Sequence, residues 1–155
     1  MKNLVEVTKL PCTRNVLIAG FLRNFAGCIV TYYLPVFFGK NFPDFKAKYA
    51  LINAAILSIG GMFASVVSGL MADKLEKRSY WAKGAICCIF QALSIPLLCL
   101  TTAGTSFWPS IIAYAFYHVA ASTYVGPGVT MMQNTAPVSL QGNCVSVYFF
   151  SITIA

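Results

Sequence analysis

Acidic residues are scarce in this sequence, which contains four aspartates and glutamates, eleven lysines and arginines and one histidine. No acidic residue lies within the long apolar runs, so a Ser-His-Asp set around the one histidine, His118, is excluded. No glycine-rich loop of the phosphate-binding kind occurs, so ATP-driven chemistry is not indicated. These absences predict that the protein is not an enzyme.

The six cysteines form no C-x-x-C pair, and no cluster has the spacing of metal ligands. Cys87 and Cys88 are adjacent, so on a helix they project about 100° apart and do not converge on one ion. The sequence therefore predicts no metal site, no cofactor and no disulfide framework. The first residues also lack the pattern of a secretory signal peptide.

Charge is low throughout: 10% of the residues are charged, 58% are hydrophobic and the mean hydropathy is +0.72. Soluble domains have about 25% charged residues, so this composition predicts an all-α integral membrane protein. The formal net charge is +7, but the basic residues cluster at the ends of apolar runs and lack the interleaved aromatics of a nucleic-acid groove. The predicted partner is the lipid bilayer, and not nucleic acid.

Apolar runs divide the chain into spans of one transmembrane helical domain, residues 1–155. Four runs are long enough to cross a bilayer, at about 16–38, 49–72, 81–102 and 108–132. A fifth, 143–155, would extend only about 20 Å as a helix, so we expect it to be a truncated span. Gly126-Pro127-Gly128 is expected to break or bend the fourth span.

A stripe of small residues follows one face of the second run, at spacings of three and four. It consists of Ala54, Ser58, Gly61, Ser65, Ser68 and Ala72. Small residues let helices approach closely in lipid, so we expect this helix to pack tightly along its whole length.

Basic residues are unequally divided between the two sides of the predicted membrane. Seven lie on the side of the N-terminus, against three, Lys40, Lys46 and Lys48, on the other; the seven are Lys2, Lys9, Arg14, Lys74, Lys77, Arg78 and Lys83. Cytoplasmic loops carry the excess of lysine and arginine. The N-terminus and the 73–80 loop are therefore predicted to be cytoplasmic.

Arg23 is a charge within the first apolar run. A charge inside a span is costly and by default indicates a functional site that faces the protein interior, where it would bind an anionic group or pair with an acid. The alternative is that its long side chain reaches the nearby membrane interface.

Polar side chains in the other runs are the remaining candidates for a substrate site. Tyr114, His118 and Ser122 are spaced by four and share a helix face. His118 suits either a proton relay or a neutral hydrogen-bonded histidine. We predict that the substrate-binding residues are Arg23, Asn53, Gln91, Tyr114 and His118.

The loop between the second and third runs is short and charged: Gly69-x-x-x-Asp73-Lys74-x-x-Lys77-Arg78. It resembles the signature loop of the major facilitator superfamily, whose pattern is Gly-x-x-x-Asp-(Arg/Lys)-x-Gly-(Arg/Lys)-(Arg/Lys). Glu76 stands where the family pattern has glycine, and restoring that glycine is expected to tighten the turn.

The resemblance implies a secondary transporter that works by alternating access. It also implies that Gly69, Asp73, Lys74, Lys77 and Arg78 form a conformational latch that stabilises one bundle arrangement. The alternative is a plain charged loop that only sets topology.

The family has two six-helix halves, and the chain resembles the C-terminal one. The basic lead resembles the linker between halves, and the first span ends in Tyr-Tyr-Leu-Pro like the family's seventh. The resemblance, loosely to Spinster-type and organic-anion carriers, implies a fragment whose partners are a small-molecule substrate and the missing N-terminal six-helix half. As a fragment it would not transport by itself. The alternative function is a non-transporting membrane scaffold or assembly subunit.

Overall fold

A computed structural model describes residues 11–76, 81–135 and 140–154. Seven α-helices lie in these residues: α1 (Pro11–Asn41), α2 (Lys46–Ala55), α3 (Gly61–Glu76), α4 (Ala82–Ala103), α5 (Phe107–Ser122), α6 (Val125–Thr135) and α7 (Gln141–Ile154). A 3-10 turn at Pro43–Phe45 precedes α2, and a π-helical turn at Ile56–Gly60 joins α2 to α3. The described residues contain no strand, so the all-α prediction is confirmed.

Three of the described helical stretches are long and apolar enough to cross a membrane: Pro11–Asn41, Pro43–Glu76 and Ala82–Ala103. They coincide with the first three predicted spans and extend beyond them at both ends of the first two. Large apolar side chains remain exposed on them, such as Leu51 at 76% and Ile59 at 69%. An apolar surface of this kind suits contact with lipid or with further membrane helices.

The fourth predicted span is interrupted. Helix α5 ends at Ser122 and α6 begins at Val125, so the break expected at Gly126-Pro127-Gly128 is confirmed just before these residues. Pro127 then lies in the first turn of α6, where a proline is tolerated because no intrahelical hydrogen bond is lost.

The chain divides into two compact units. One contains the chain up to Thr31 and from Gly128 onward, and the other contains Tyr32–Pro127.

In the first unit, the ring of Tyr148 on α7 is buried between two glycines. Only 1% of Tyr148 is exposed, and it forms a small core with Met132 and Cys144. A Cβ built at Gly20 would lie 2.7 Å from Tyr148 Cε2, and one at Gly128 would overlap the Tyr148 hydroxyl oxygen. Both glycines are thus required by the volume of one side chain.

The packing of Tyr148 between Gly20 and Gly128 predicts which glycine variant Tyr148→Phe can stabilise. Gly20→Ala and Gly128→Ala should each lower stability by about 1–3 kcal/mol, because the core has no room for another carbon. Tyr148→Phe removes the hydroxyl and should reduce the cost of Gly128→Ala, but not that of Gly20→Ala, which meets the ring edge. Melting temperatures of the three single variants and the two double variants in detergent measure this. Equal rescue of both glycine variants would contradict the geometry.

In the second unit, the stripe of small residues packs along only part of the second span. Ser68 and Ala72 on α3 are buried at 2% and 0% exposure, whereas Ala54 and Ser58 are exposed. The prediction of packing along the whole helix is wrong in its first half. The π turn at Ile56–Gly60 lies between the two halves, and its extra residue shifts the helical register.

The packed half of this helix meets the start of α6. A Cβ built at Gly126 would lie 2.7 Å from the carbonyl oxygen of Ser65 and 3.1 Å from Cα of Gly69. A Cβ built at Gly69, by contrast, meets nothing within 4 Å. The close approach therefore depends on Gly126, and Gly69 supplies the backbone that Gly126 touches.

An aromatic cluster closes the end of the second unit that lies away from Glu76. The ring of Phe38 stacks on Tyr49 at 4.6 Å between centroids, and Phe45 stacks on Phe107 at the same distance. Phe38 also approaches Phe107 at 6.0 Å, so α1, α2 and α5 share one aromatic contact. This cluster fixes the ends of the helices that carry the polar residues described next.

Candidate functional site

Two of the predicted substrate-binding residues are joined directly. The Tyr114 hydroxyl on α5 donates a 2.8 Å hydrogen bond to Asn53 Oδ1 on α2. Tyr114 is 3% exposed, whereas Asn53 keeps part of its surface open. The bond fixes the oxygen of the Asn53 amide and leaves its two N–H donors free of any partner among the described residues.

Gln91 and His118 also belong to this surface around α5. Gln91 Nε2 on α4 donates to the carbonyl oxygen of Ala121 at 3.2 Å. His118 Nε2 lies 3.5 Å from Ser122 Oγ, and its ring lies 6.2 Å from that of Tyr114. The predicted face of Tyr114, His118 and Ser122 is therefore present on one continuous helix.

The π turn lies beside His118. A Cβ built at Gly60 would lie 3.7 Å from His118 Cδ2, and one at Gly61 would lie 3.5 Å from its Nε2. Both distances are ordinary van der Waals contacts, so the imidazole packs against the backbone of this turn. Single π turns inside α-helices occur often at functional sites, and the sequence shows no signal for this one.

Arg23 lies in the first unit, on α1. A Cβ built at Gly27 would lie 3.2 Å from a guanidinium nitrogen of Arg23, so the side chain extends toward Gly27, one turn further from Pro11. Reaching the interface at the Pro11 end of α1 would require the opposite direction. The described contact thus does not support that alternative.

The charged loop contains an ion-pair cluster. Lys83 Nζ lies 2.7 Å from Glu76 Oε2 and 3.5 Å from Asp73 Oδ1. The Lys83 side chain is only 6% exposed, whereas those of Asp73 and Glu76 are 58% and 34% exposed. Lys74 is exposed, and Lys77 and Arg78 lie outside the described residues.

Sequence reasoning missed the role of Lys83, which lies near the start of a span and was counted only toward orientation. A lysine there normally keeps its ammonium group in water. The available signal was Glu76 itself, a carboxylate in place of the family's glycine and seven residues before a lysine. Its proximity to Lys83 depends on how α3 and α4 pack, which spacing does not specify.

The described residues contain no group of three or more histidine, cysteine or acidic side chains suited to a metal. The groups around α5 are hydrogen-bond donors and acceptors: the Tyr114 hydroxyl, the Asn53 and Gln91 amides and the His118 ring.

A protein family and a known relative are similar to this chain. The sequence profile of the Major Facilitator Superfamily matches residues 2–155. A facilitated glucose transporter homolog of Caenorhabditis elegans is 29% identical over 122 residues. That match covers 76% of this chain but 22% of the relative, so the chain spans less than a quarter of the relative's length. No solved structure matches the chain.

Proposed function

Because this chain belongs to the major facilitator superfamily, we propose that it forms part of a secondary transporter that moves a small neutral, polar solute across a membrane by alternating access. It is a multi-pass membrane protein of a transporter family, and we propose no catalytic role. The substrate class rests on the residues around α5.

The observation that carries this proposal is the Tyr114–Asn53 hydrogen bond between two spans. It joins Asn53 to Tyr114 on α5. The uncharged groups of Gln91 and His118 lie on or beside the same face of α5. A site of uncharged donors and acceptors beside aromatic rings suits a hydroxyl-bearing solute. The resemblance to a glucose transporter homolog supports the same class.

A second candidate substrate is an organic anion, which the loose resemblance of the chain to Spinster-type and organic-anion carriers would favour. Arg23 is the observation for it, because a partly buried guanidinium in the middle of a long apolar helix suits a carboxylate or phosphate. Its side chain extends along the helix toward Gly27 and not toward the Pro11 end.

We further propose that the chain is part of the C-terminal half of a longer protein and needs an N-terminal six-helix half for transport. The small share of the relative that it covers supports this. In this arrangement the N-terminus and the 73–80 loop are cytoplasmic. Gly69, Asp73, Lys74, Lys77 and Arg78 form the latch between bundle arrangements, with Lys83 and Glu76 added to it.

The test is uptake by cells that express the complete gene encoding this chain. Radiolabelled glucose, glycerol and myo-inositol represent neutral solutes, and lactate and citrate represent anions. Tyr114→Phe, which removes the bond to Asn53, should raise KM about tenfold for the neutral solute. Thr102→Val, which changes an exposed hydroxyl bonded only within its own helix, is the matched control.

Arg23→Ala separates the two substrate classes. A neutral carrier should lose less activity through Arg23→Ala than through Asn53→Ala, whereas an anion carrier should show the reverse order. Cell-surface expression of every variant is measured in parallel by an epitope tag. Uptake of neither class by the complete gene product would overturn the transporter proposal.

A further inference from the structure

Tyr49 on α2 carries a buried hydroxyl without a hydrogen-bond partner among the described residues. Only 6% of the residue is exposed. A buried polar group without a partner costs free energy, so such groups are rare and indicate a site that a ligand completes or a tolerated packing defect.

The position of Tyr49 favours a ligand. It precedes Asn53 by four residues on the same helix, and therefore lies one turn away on the same face. Its ring stacks on Phe38 at 4.6 Å, and Phe38 lies 6.5 Å from the ring of Tyr114. Tyr49 thus lies on the same helix as Asn53 and in the same aromatic cluster as Tyr114.

Tyr49, Asn53 and Tyr114 have hydrogen-bonding groups that their contacts with one another leave available. Tyr114 donates its proton to Asn53 Oδ1, which leaves the Asn53 N–H donors and the Tyr114 oxygen lone pairs available. Tyr49 adds one more donor and acceptor. These groups are all uncharged, and a hydroxyl of a solute can both donate to and accept from them.

We infer that Tyr49 is a specificity-determining residue that hydrogen-bonds one hydroxyl group of a neutral, polyhydroxylated solute held against Asn53 and Tyr114. The inference rests on the proposed function, which it deepens by naming the group that selects hydroxylated solutes. A site built to bond a hydroxyl rejects an analogue without it, because its buried polar group is then left unpaired.

Ser110 offers a matched comparison. Its hydroxyl is also buried without a partner among the described residues, and it precedes Tyr114 by one turn. A Cβ built at Gly104, however, would overlap Ser110 Oγ, so that hydroxyl is enclosed against the Gly104 backbone. Ser110 is therefore enclosed against backbone, and it serves as the comparison for Tyr49, whose ring stacks on an aromatic ring.

The experiment uses purified complete gene product in detergent and measures melting temperature with and without glucose, glycerol or myo-inositol. Tyr49→Phe and Ser110→Ala should each melt at or above the parent temperature without solute, because each removes an unsatisfied hydroxyl. With solute, Tyr49→Phe should need about tenfold more to reach the same shift. Ser110→Ala should respond like the parent.

Monodeoxy analogues of the binding sugar locate the contact. The analogue that lacks the hydroxyl bound by Tyr49 should bind the parent and Tyr49→Phe with equal affinity, because neither protein can form that hydrogen bond with it. Equal loss for every analogue would indicate a structural role for Tyr49 and overturn the inference. Solute affinity and uptake that are unchanged in Tyr49→Phe would also overturn it, while leaving the transporter proposal intact. Failure of the parent to bind or take up any of the three solutes would instead overturn the neutral-solute proposal itself.

Discussion

Gly126→Ala should be among the most damaging single-carbon changes in the protein, with an expected loss of about 3 kcal/mol of stability. The added methyl group would lie 2.7 Å from the carbonyl oxygen of Ser65 and 3.1 Å from the Gly69 backbone. Both are main-chain atoms of a helix, so no side-chain rotation relieves the contact. The start of α6 must move away from α3.

The fraction of protein that stays monodisperse after detergent extraction, together with its melting temperature, measures this effect. Gly84→Ala is the matched control, because Gly84 is also helical and a Cβ there meets nothing within 4 Å. Gly69→Ala should likewise fold, since the space at its Cβ is open. A Gly126→Ala protein that melts like the Gly84→Ala protein would show that the two helices do not meet as described.

Removing both acidic partners of Lys83 is the second large effect. Asp73→Asn with Glu76→Gln leaves an ammonium group that is only 6% exposed without the carboxylates that neutralise it. Breaking a buried ion pair from one side costs roughly 3 kcal/mol or more, because the remaining charge is desolvated. Both acids are partly in contact with solvent, so we expect the lower end of that range.

A third substitution tests the cause. Adding Lys83→Met to the double variant removes the stranded charge and should restore most of the stability, as neutral replacements of buried ion pairs often do. Lys46→Gln, on an exposed lysine outside the charged loop, is the control and should stay close to the parent melting temperature. Failure of Lys83→Met to rescue would assign the loss to something other than the charge.

The pair also gives Glu76 a contact that the family's glycine cannot make. Restoring the family's glycine was expected to tighten the turn, but Glu76→Gly would remove the closer of the two partners of Lys83. The net effect of Glu76→Gly is therefore set by two opposed changes, the tighter turn and the lost ion pair.

The membrane class and the helices followed directly from the sequence, because long apolar runs have few alternatives in lipid. The break near Gly126 was also predictable, because proline and glycine act locally. Both the membrane helices and the break depend on residues that are close together in the sequence.

Other features required knowledge of packing. Asn53 and Tyr114 are 61 residues apart, and no periodicity states that they share a hydrogen bond. The burial of Lys83 and the isolation of the Tyr49 hydroxyl depend on neighbouring helices in the same way. The π turn at Ile56–Gly60 has no sequence signature, so the small-residue pattern was extended one register too far.

The π turn at Ile56–Gly60 divides the second span into two halves that face different directions. One residue changes direction by about 100° around a helix axis, so the surplus residue separates the face set by Asn53 from the face set by Ala72. If Asn53 belongs to the solute site as proposed, substitutions in Lys46–Ala55 change that site without changing the contact between α3 and Gly126. Under that proposal, the two halves of one membrane helix can change in sequence independently of each other.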